Sequence, residues 1–574
     1  MVADFSKNSR RTTWFILFSA IPILIFFYTF FQFVSNIPFQ DDYDALLDPV
    51  TRFTKLTPFS LPEFIKILWT QDDERRIVVD RLVAIFTYSI LHKLDLRLQA
   101  FLGLLSLLGI FYLFYTIIRD GKLPIRLVLV CSLLLFHIQY YETIFWAMIP
   151  LQHVVVYFFV LLSSFYLYSK KPSSLITSLI VAIFAILSDV SGTFILPVGL
   201  LLLLLQHRWK HTIIWALVIG GMVFLYYQNF AVPSFRPKLS DNLQRPDLII
   251  GRILVASGLS FDPNTVLPSA VRIGLVMAVG TVLWGIVIYY GFMLVKSAFT
   301  RTGTTFARWE STLWGGLFHF SITLLALAVG RAIEGIDPLL ISRYKHIGFI
   351  WLILIILLVA GKLKPIAQLT FSKALLVISS GIFLFSYFYY LAPLDFYYKD
   401  RYTDIYGWKT SRSIPSTPIY ISLRSGIDTV TTQAIEAGVY QLPEHYFFEG
   451  PYQEKKDVIQ LKTEHLGGHT LSFVNDSFTR SFGKKNGAFI ILKSNAQRQI
   501  ISTQQNRNSL RLFLSSFGQN YYANGFSGVL TSKFLLNDQT YNVFVVEIDG
   551  DKKNLYPTNT QIETGKDSLK IVSL

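Results

Sequence analysis

Long apolar runs, broken by short polar loops, fill the first two thirds of the chain. The runs are long enough to span a bilayer, and each predicts a helix. They fall at about 13–34, 96–118, 124–139, 151–168, 174–188, 193–206, 211–228, 270–296, 311–330, 346–361 and 373–392. A twelfth run, 82–91, is too short to cross and belongs to an interfacial layer or re-enters. Residues 35–80 form a long loop whose "LPEFIKILWT" stretch is amphipathic and suits a membrane surface. Past residue 395, Asn, Gly, Ser, Gln and charged residues replace Leu and Phe. "TPIYISL", "HTLSFVND", "GAFIILKS" and "YNVFVVEIDG" then alternate as strands do, with one helix near "TVTTQAIEAGVYQ".

The pattern defines a polytopic α-helical membrane bundle over 1–394 and a β-rich domain over 395–574. Composition agrees: 52% of residues are hydrophobic, only 16% are charged, and the mean hydropathy is +0.45. The net charge of +15 could suggest nucleic acid, but many Lys and Arg lie in short loops between apolar runs, where they orient helices. No nucleic-acid partner is expected. Lys7, Arg10 and Arg11 put the N-terminus inside, and the first run reads as an uncleaved helix, not a signal peptide. Eleven crossings then leave the C-terminal domain outside. Cys131 is the one cysteine, so a disulfide within the chain and a Cys-based metal site are both ruled out.

This threading sorts the chemically unusual residues. Short basic clusters fall on the inner side. Asp41, Asp42, Asp44, "QDDERR" (71–76), Glu142, Asp189, Arg331 and "SRYKH" (342–346) fall on the outer side. Outer arginines run against the positive-inside bias, so Arg75, Arg76, Arg331 and Arg343, with Lys345, point to an anionic ligand. A guanidinium fork suits phosphate oxygens. A carboxylate can take a hydroxyl proton or hold a divalent cation. Each residue also has a plainer reading. Asp41 and Asp42 can cap an interfacial helix. Arg75 and Arg76 can pair with Asp72, Asp73 or Glu74, and Arg331 and Arg343 with Glu334 and Asp337. Glu142 and Asp189, at helix ends, can satisfy backbone groups. His92, His153 and His346 are too far apart in sequence to suggest a metal site, and read as solvated or core residues.

"DDYD" (41–44), "DERR" (73–76), "ETIFW" (142–146), "VSGTFILPVG" (190–199) and "SRY" (342–344) occur in that order. In order and spacing they resemble the GT-C glycosyltransferases, in particular a sub-group of bacterial multi-pass membrane proteins. Arg75 stands where that pattern has His, and Thr143 and Ser191 where it has Asn. The resemblance spans residues 13–392 and does not reach the β-rich domain. It implies an enzyme of the bacterial inner membrane that moves a sugar from a polyprenyl-phosphate carrier to a glycan, lipid or protein acceptor, among membrane lipids. Asp41 or Asp42 would be the catalytic base, or would hold a divalent cation such as Mg or Mn, with Asp44 beside them. Arg76, Arg331 and Arg343 would grip the phosphate, and Glu74 and Tyr344 would position those arginines or a sugar hydroxyl. Arg75 and Glu142 would complete the substrate site, and the loop 229–268 would cover it. The competing functions are a transporter, flippase or polymerase-like handler of lipid-linked saccharides, and a non-catalytic envelope protein that binds sugars.

Overall fold

The computed structural model describes residues 2–573, apart from 235, 265–266, 301–305, 413, 415–423, 444–447, 449–450, 468–469, 481, 517–519, 532–533 and 566–568. The chain divides into two compact units. A helical unit comprises Met1–Tyr28, Asp44–Leu91 and Leu98–Tyr387; a β-rich unit comprises Thr29–Tyr43, His92–Arg97 and Phe388–Leu574.

Among the described residues, eight helices are long and apolar enough to cross a bilayer: Thr13–Phe33, Leu96–Asp120, Pro150–Leu167, Trp209–Tyr226, Ser269–Ala298, Arg308–Gly330, Ser342–Lys362 and Pro365–Ser411. They mark a membrane protein. The other three expected segments are also helical but shorter: Arg126–Leu135, Pro172–Ser188 and Val190–Leu205. Ten residues of α-helix rise only about 15 Å, half a hydrocarbon core. Helix Ser269–Thr300 crosses Pro246–Gly258 at backbone distance. A Cβ on Gly258 would lie 1.9 Å from the Val276 carbonyl oxygen, and one on Gly280 1.9 Å from that of Leu254. Only glycine fits at either position.

The loop 35–80 is built from short helices, Tyr43–Leu47, Asp48–Thr54 and Leu61–Trp69. The last exposes Leu61 and Ile65 and buries Ile67 and Leu68. The run 82–91 is the larger part of helix Val78–Leu91, which packs Val79 and Val83 against Leu151 and Val155.

The expected end of the last apolar helix near 392 is not a boundary. The helix Pro365–Ser411 continues for 47 residues, about 70 Å. Polar residues in its final turns pair with each other and with the sheets. Lys399 donates to both oxygens of Asp395, each at 2.6 Å, and the Ser502 hydroxyl donates to Asp400 at 2.5 Å.

The strands of the β-rich unit are β1 (Gln453–Glu454), β2 (Lys462–Gly467), β3 (Thr470–Asn475), β4 (Gly487–Lys493) and β5 (Arg498–Ser502), followed by β6 (Gln504–Arg507), β7 (Tyr522–Thr531), β8 (Gln539–Asp549), β9 (Lys552–Thr564) and β10 (Leu569–Ser573). One sheet has the order β1-β9-β8-β4-β5, with β10 also on β9; the other is β2-β3-β7-β6. Leu471, Phe473, Phe526 and Leu530 from one sheet share a core with Ala488, Ile490, Val543, Val545 and Ile562 from the other. β4 is buried on both faces, because the Phe448 ring covers Phe489, 5.0 Å away, on the side opposite that core. Its sequence is accordingly a continuous apolar run. Three of the expected strands are β3, β4 and β8. The expected helix is Arg424–Glu436, and "TPIYISL" lies outside the described residues.

Candidate functional site

Most of the sequence-predicted site residues fall in the helical unit, on segments hundreds of residues apart. The turn Asp72–Arg75 is closed by two backbone hydrogen bonds, Asp72 N–H to Arg75 at 2.8 Å and Arg75 N–H to Asp72 at 2.9 Å. Asp73 sits inside it at φ +48°, a left-handed conformation that Asp tolerates. Arg75 pairs with Asp72 at 3.2 Å. Glu74 pairs with Arg331 and, at 3.3 Å, with Arg236, which also meets Asp73 at 2.5 Å. Arg331 therefore joins Glu74, not Glu334 or Asp337.

Arg76 is committed to backbone. Its side chain donates to the carbonyls of Trp69, Tyr226 (2.9 Å) and Gln228 (2.7 Å), and its guanidinium lies 5.4 Å from the Trp69 ring. These carbonyls belong to two helix C-terminal ends, where a cation is favourable. Arg76 is 4% exposed, so it holds helices together and has little left for a ligand.

The "ETIFW" and "SRY" segments are stitched to each other. Glu142 accepts from the Arg343 backbone N–H at 3.0 Å, and the Thr143 hydroxyl donates to the Arg343 carbonyl at 3.0 Å. The Ser342 hydroxyl accepts from the Glu142 N–H at 3.3 Å and donates to the Gln139 carbonyl at 3.0 Å. Lys345 is neutralised: it shares Asp262 (2.7 Å) with Arg272, whose Nε meets that carboxylate at 2.6 Å. The guanidinium of Arg343 differs from the others. It lies 5.3 Å from the Tyr344 ring and 5.9 Å from that of Trp146. Its Nε is buried without a hydrogen bond, and no carboxylate among the described residues pairs with it.

These segments adjoin a cluster of residues that sequence reasoning treated as unconnected. The charges of Arg75, Arg331 and Arg343 all reach His153. The His153 Nδ1 lies 3.9 Å from Asp189, and its ring is 6.1 Å from that of His346. His346 Nδ1 meets the Thr143 hydroxyl at 3.2 Å, while its Nε2 is buried without a partner. Asp189 caps the following 3₁₀ turn. It accepts from the Ser191 N–H (2.9 Å), the Ser191 hydroxyl (2.5 Å) and the Gln152 amide (2.8 Å). Burial pushes its carboxyl up, but His153, the Ser191 hydrogen bonds and Arg75 outweigh that and hold it below the usual range. Asp80, fully buried, is the opposite case: among the described residues no other residue hydrogen-bonds either oxygen. Burial pushes its carboxyl well above the usual range, with Arg75 pulling the other way and Asp189 adding to the rise.

Distance in sequence was the wrong criterion for the histidines, since the fold brings His153 and His346 together; His92 is exposed in the β-rich unit. A legible signal for Asp80 existed in "VVDRLVAIF", an acid–base pair inside an apolar run. The neighbouring Arg81 caps the end of helix Leu61–Trp69, donating to the Leu68 carbonyl at 3.3 Å. The loop 229–268 is itself helical at Leu239–Leu243 and Pro246–Gly258. It is pinned by Arg236, by Asn242 (to the Gly330 carbonyl, 2.9 Å) and by Arg252 (to the Gly335 carbonyl).

Asp41 and Asp42 fall in the β-rich unit and Asp44 in the helical unit. Asp42 is fully buried, and its carboxylate accepts from the Phe39 N–H at 2.9 Å, so it closes its own turn. Asp41 is half-buried and Asp44 exposed. Among the described residues no group of three or more His, Cys, Asp or Glu is arranged to hold a metal ion. Comparison with protein-family models, curated proteins and solved structures finds no match.

Proposed function

We propose that the chain is a multi-pass membrane glycosyltransferase of GT-C type, carrying a hexosyl or pentosyl group from a polyprenyl-phosphate donor to an envelope acceptor. In this reading eleven segments cross a bacterial inner membrane, the N-terminus is cytoplasmic and the β-rich unit is extracytoplasmic. The observation that supports it is that the fold joins Arg331 to the acidic turn that carries Arg75, while Arg343 stands over Trp146 with its Nε buried and without a hydrogen bond. Arg75 and Arg331 are each balanced by an acid of the 72–74 turn, which leaves Arg343 to take a phosphate oxygen. As the sugar–phosphate bond breaks, charge develops on that oxygen, and a preorganised guanidinium lowers the barrier.

The test is transfer of radiolabelled sugar from polyprenyl-phosphate donors to envelope acceptors, in membranes containing the wild type, Arg343→Ala or the Asp41→Asn/Asp42→Asn double variant. The expected result is transfer by the wild type and a loss of about 100-fold or more in Arg343→Ala. Absence of transfer across a broad donor panel would overturn the reading. A loss in the double variant as well would support the role that the resemblance gives those aspartates.

A second reading, transport of a lipid-linked saccharide, is favoured by His319. This buried ionisable residue lies in the middle of helix Arg308–Gly330, where its Nε2 meets the Ser191 carbonyl at 3.0 Å. Ionisable groups in spanning helices often mark a transport path. Uptake of labelled saccharide into sealed vesicles without covalent transfer would favour that reading.

A further inference from the structure

We infer that His153, positioned by Asp189, takes the acceptor's hydroxyl proton during sugar transfer; this rests on the reading above and assigns its base to the helical unit. A general base must be reachable, oriented and close to the leaving group. His153 is reachable and lies beside a carboxylate that can orient it. It lies in the π-helical turn Pro150–Val154, where Gln152 and Val154 are buried, yet its side chain is 26% exposed. Its Nδ1 is turned toward Asp189 at 3.9 Å, so Nε2 is the nitrogen left for an acceptor.

Asp189 can hold that orientation because three donors fix its two oxygens. Asp189 and His346 lie beside His153, and the charges of Arg75, Arg331 and Arg343 act on it. Three guanidinium charges oppose an imidazolium there and one carboxylate supports it. Asp189 stabilises the imidazolium once it forms.

In the step, the acceptor O–H bond breaks and its proton passes to His153 Nε2. The acceptor oxygen bonds to the anomeric carbon. The bond from that carbon to the phosphate oxygen breaks, and its electron pair leaves with the phosphate, beside Arg343. Asp189 stays ionised throughout and acts only by orienting and stabilising the ring.

The experiment measures transfer from the polyprenyl-phosphate donor between about pH 3 and pH 9, in membranes carrying the full-length chain. The variants are His153→Gln, Asp189→Asn and the Asp41→Asn/Asp42→Asn double substitution. His153→Gln is expected to lower kcat by about 100- to 10,000-fold, with the donor KM changed less than about threefold. It should also remove the fall in rate on the acid side of the pH profile. Asp189→Asn is expected to shift that acid limb, which a merely structural residue would not do. In His153→Ala, added imidazole should restore part of the rate. A loss that imidazole cannot restore would mean a damaged fold and would overturn the assignment. Wild-type transfer with an unchanged kcat and pH profile in His153→Gln would overturn it too, while leaving the enzyme reading intact. No transfer by the wild type would overturn both.

Discussion

Asp395 in the β-rich unit and Asp80 in the helical unit are both fully buried carboxyls, and the chain treats them in opposite ways. Asp395 is saturated: Lys399 reaches both oxygens at 2.6 Å, Arg480 reaches one at 3.0 Å, and the Tyr522 hydroxyl donates at 2.7 Å. Among the described residues no other residue hydrogen-bonds either oxygen of Asp80. The first arrangement ties a helix to a strand and to Arg480, and its value is structural. The second costs stability, because a buried polar group without a partner forfeits its hydration. Proteins keep such groups where function needs them. The same contrast recurs inside the helical unit, where Asp262 is saturated by Arg272 and Lys345 while Arg343 keeps an unpaired Nε.

The largest effect is expected from Asp395→Ala. It leaves Lys399 and Arg480 buried without their carboxylate and should cost about 3–5 kcal/mol. Resistance of the β-rich unit to limited proteolysis or denaturant, in detergent, reads this directly. Asp262→Asn follows for the same reason, with unfolding of the helical unit as its readout. Asp262 also carries a pH dependence. Burial raises its carboxyl, but Arg272 and Lys345 outweigh that and hold it below the usual value. A depressed carboxylate contributes its full stability above the unfolded value and loses it as pH falls through the folded one. Thermal stability of the helical unit should therefore hold at neutral pH and fall below about pH 4, and less so in Asp262→Asn. Stability independent of pH down to 3 would contradict the charge assignment.

Asp80→Leu sharpens the comparison by its sign. Replacing a partnerless buried carboxyl with an apolar side chain of similar size should raise stability by about 1–3 kcal/mol. A loss as large as that of Asp395→Ala would erase the distinction between the two carboxyls. The smallest stability change belongs to Arg343→Lys, within about 0.5 kcal/mol, because no ion pair is lost. Its effect should fall on binding. A point charge cannot reproduce the guanidinium fork, so the donor KM should rise at unchanged protein level.

Much of the helical unit was legible in the chain, because apolar runs longer than a bilayer have few alternatives. Three strands and a helix of the β-rich unit were legible for a similar reason: "GAFIILKS" and "YNVFVVEIDG" alternate or stay apolar as buried strands must. The end of the last helix was not. Polar composition after residue 393 resembles a loop, and only the pairing of Asp395, Lys399, Asp400 and Arg401 with partners on the helix and on the sheet makes it a helix to Ser411. At the site, residue type pointed to Arg75, Arg331 and Arg343, but partner choice was not readable. The nearest acids in sequence, Glu334 and Asp337, are not what Arg331 pairs with; Glu74 is. Arg76, adjacent to Arg75, caps helices instead.

By itself, then, the sequence determined a many-helix apolar chain followed by a β-rich region, and on the expected threading it singled out arginines that helix orientation does not explain. Hydropathy and charge are local properties, and they survive in a one-dimensional reading. What the tertiary structure decided was which of those charges are spent and which are kept. That depends on contacts between residues such as Glu142 and Arg343, or His153 and His346, roughly two hundred positions apart. A side chain's chemistry is set by whatever lies within a few ångströms of it, and chain distance carries almost none of that information.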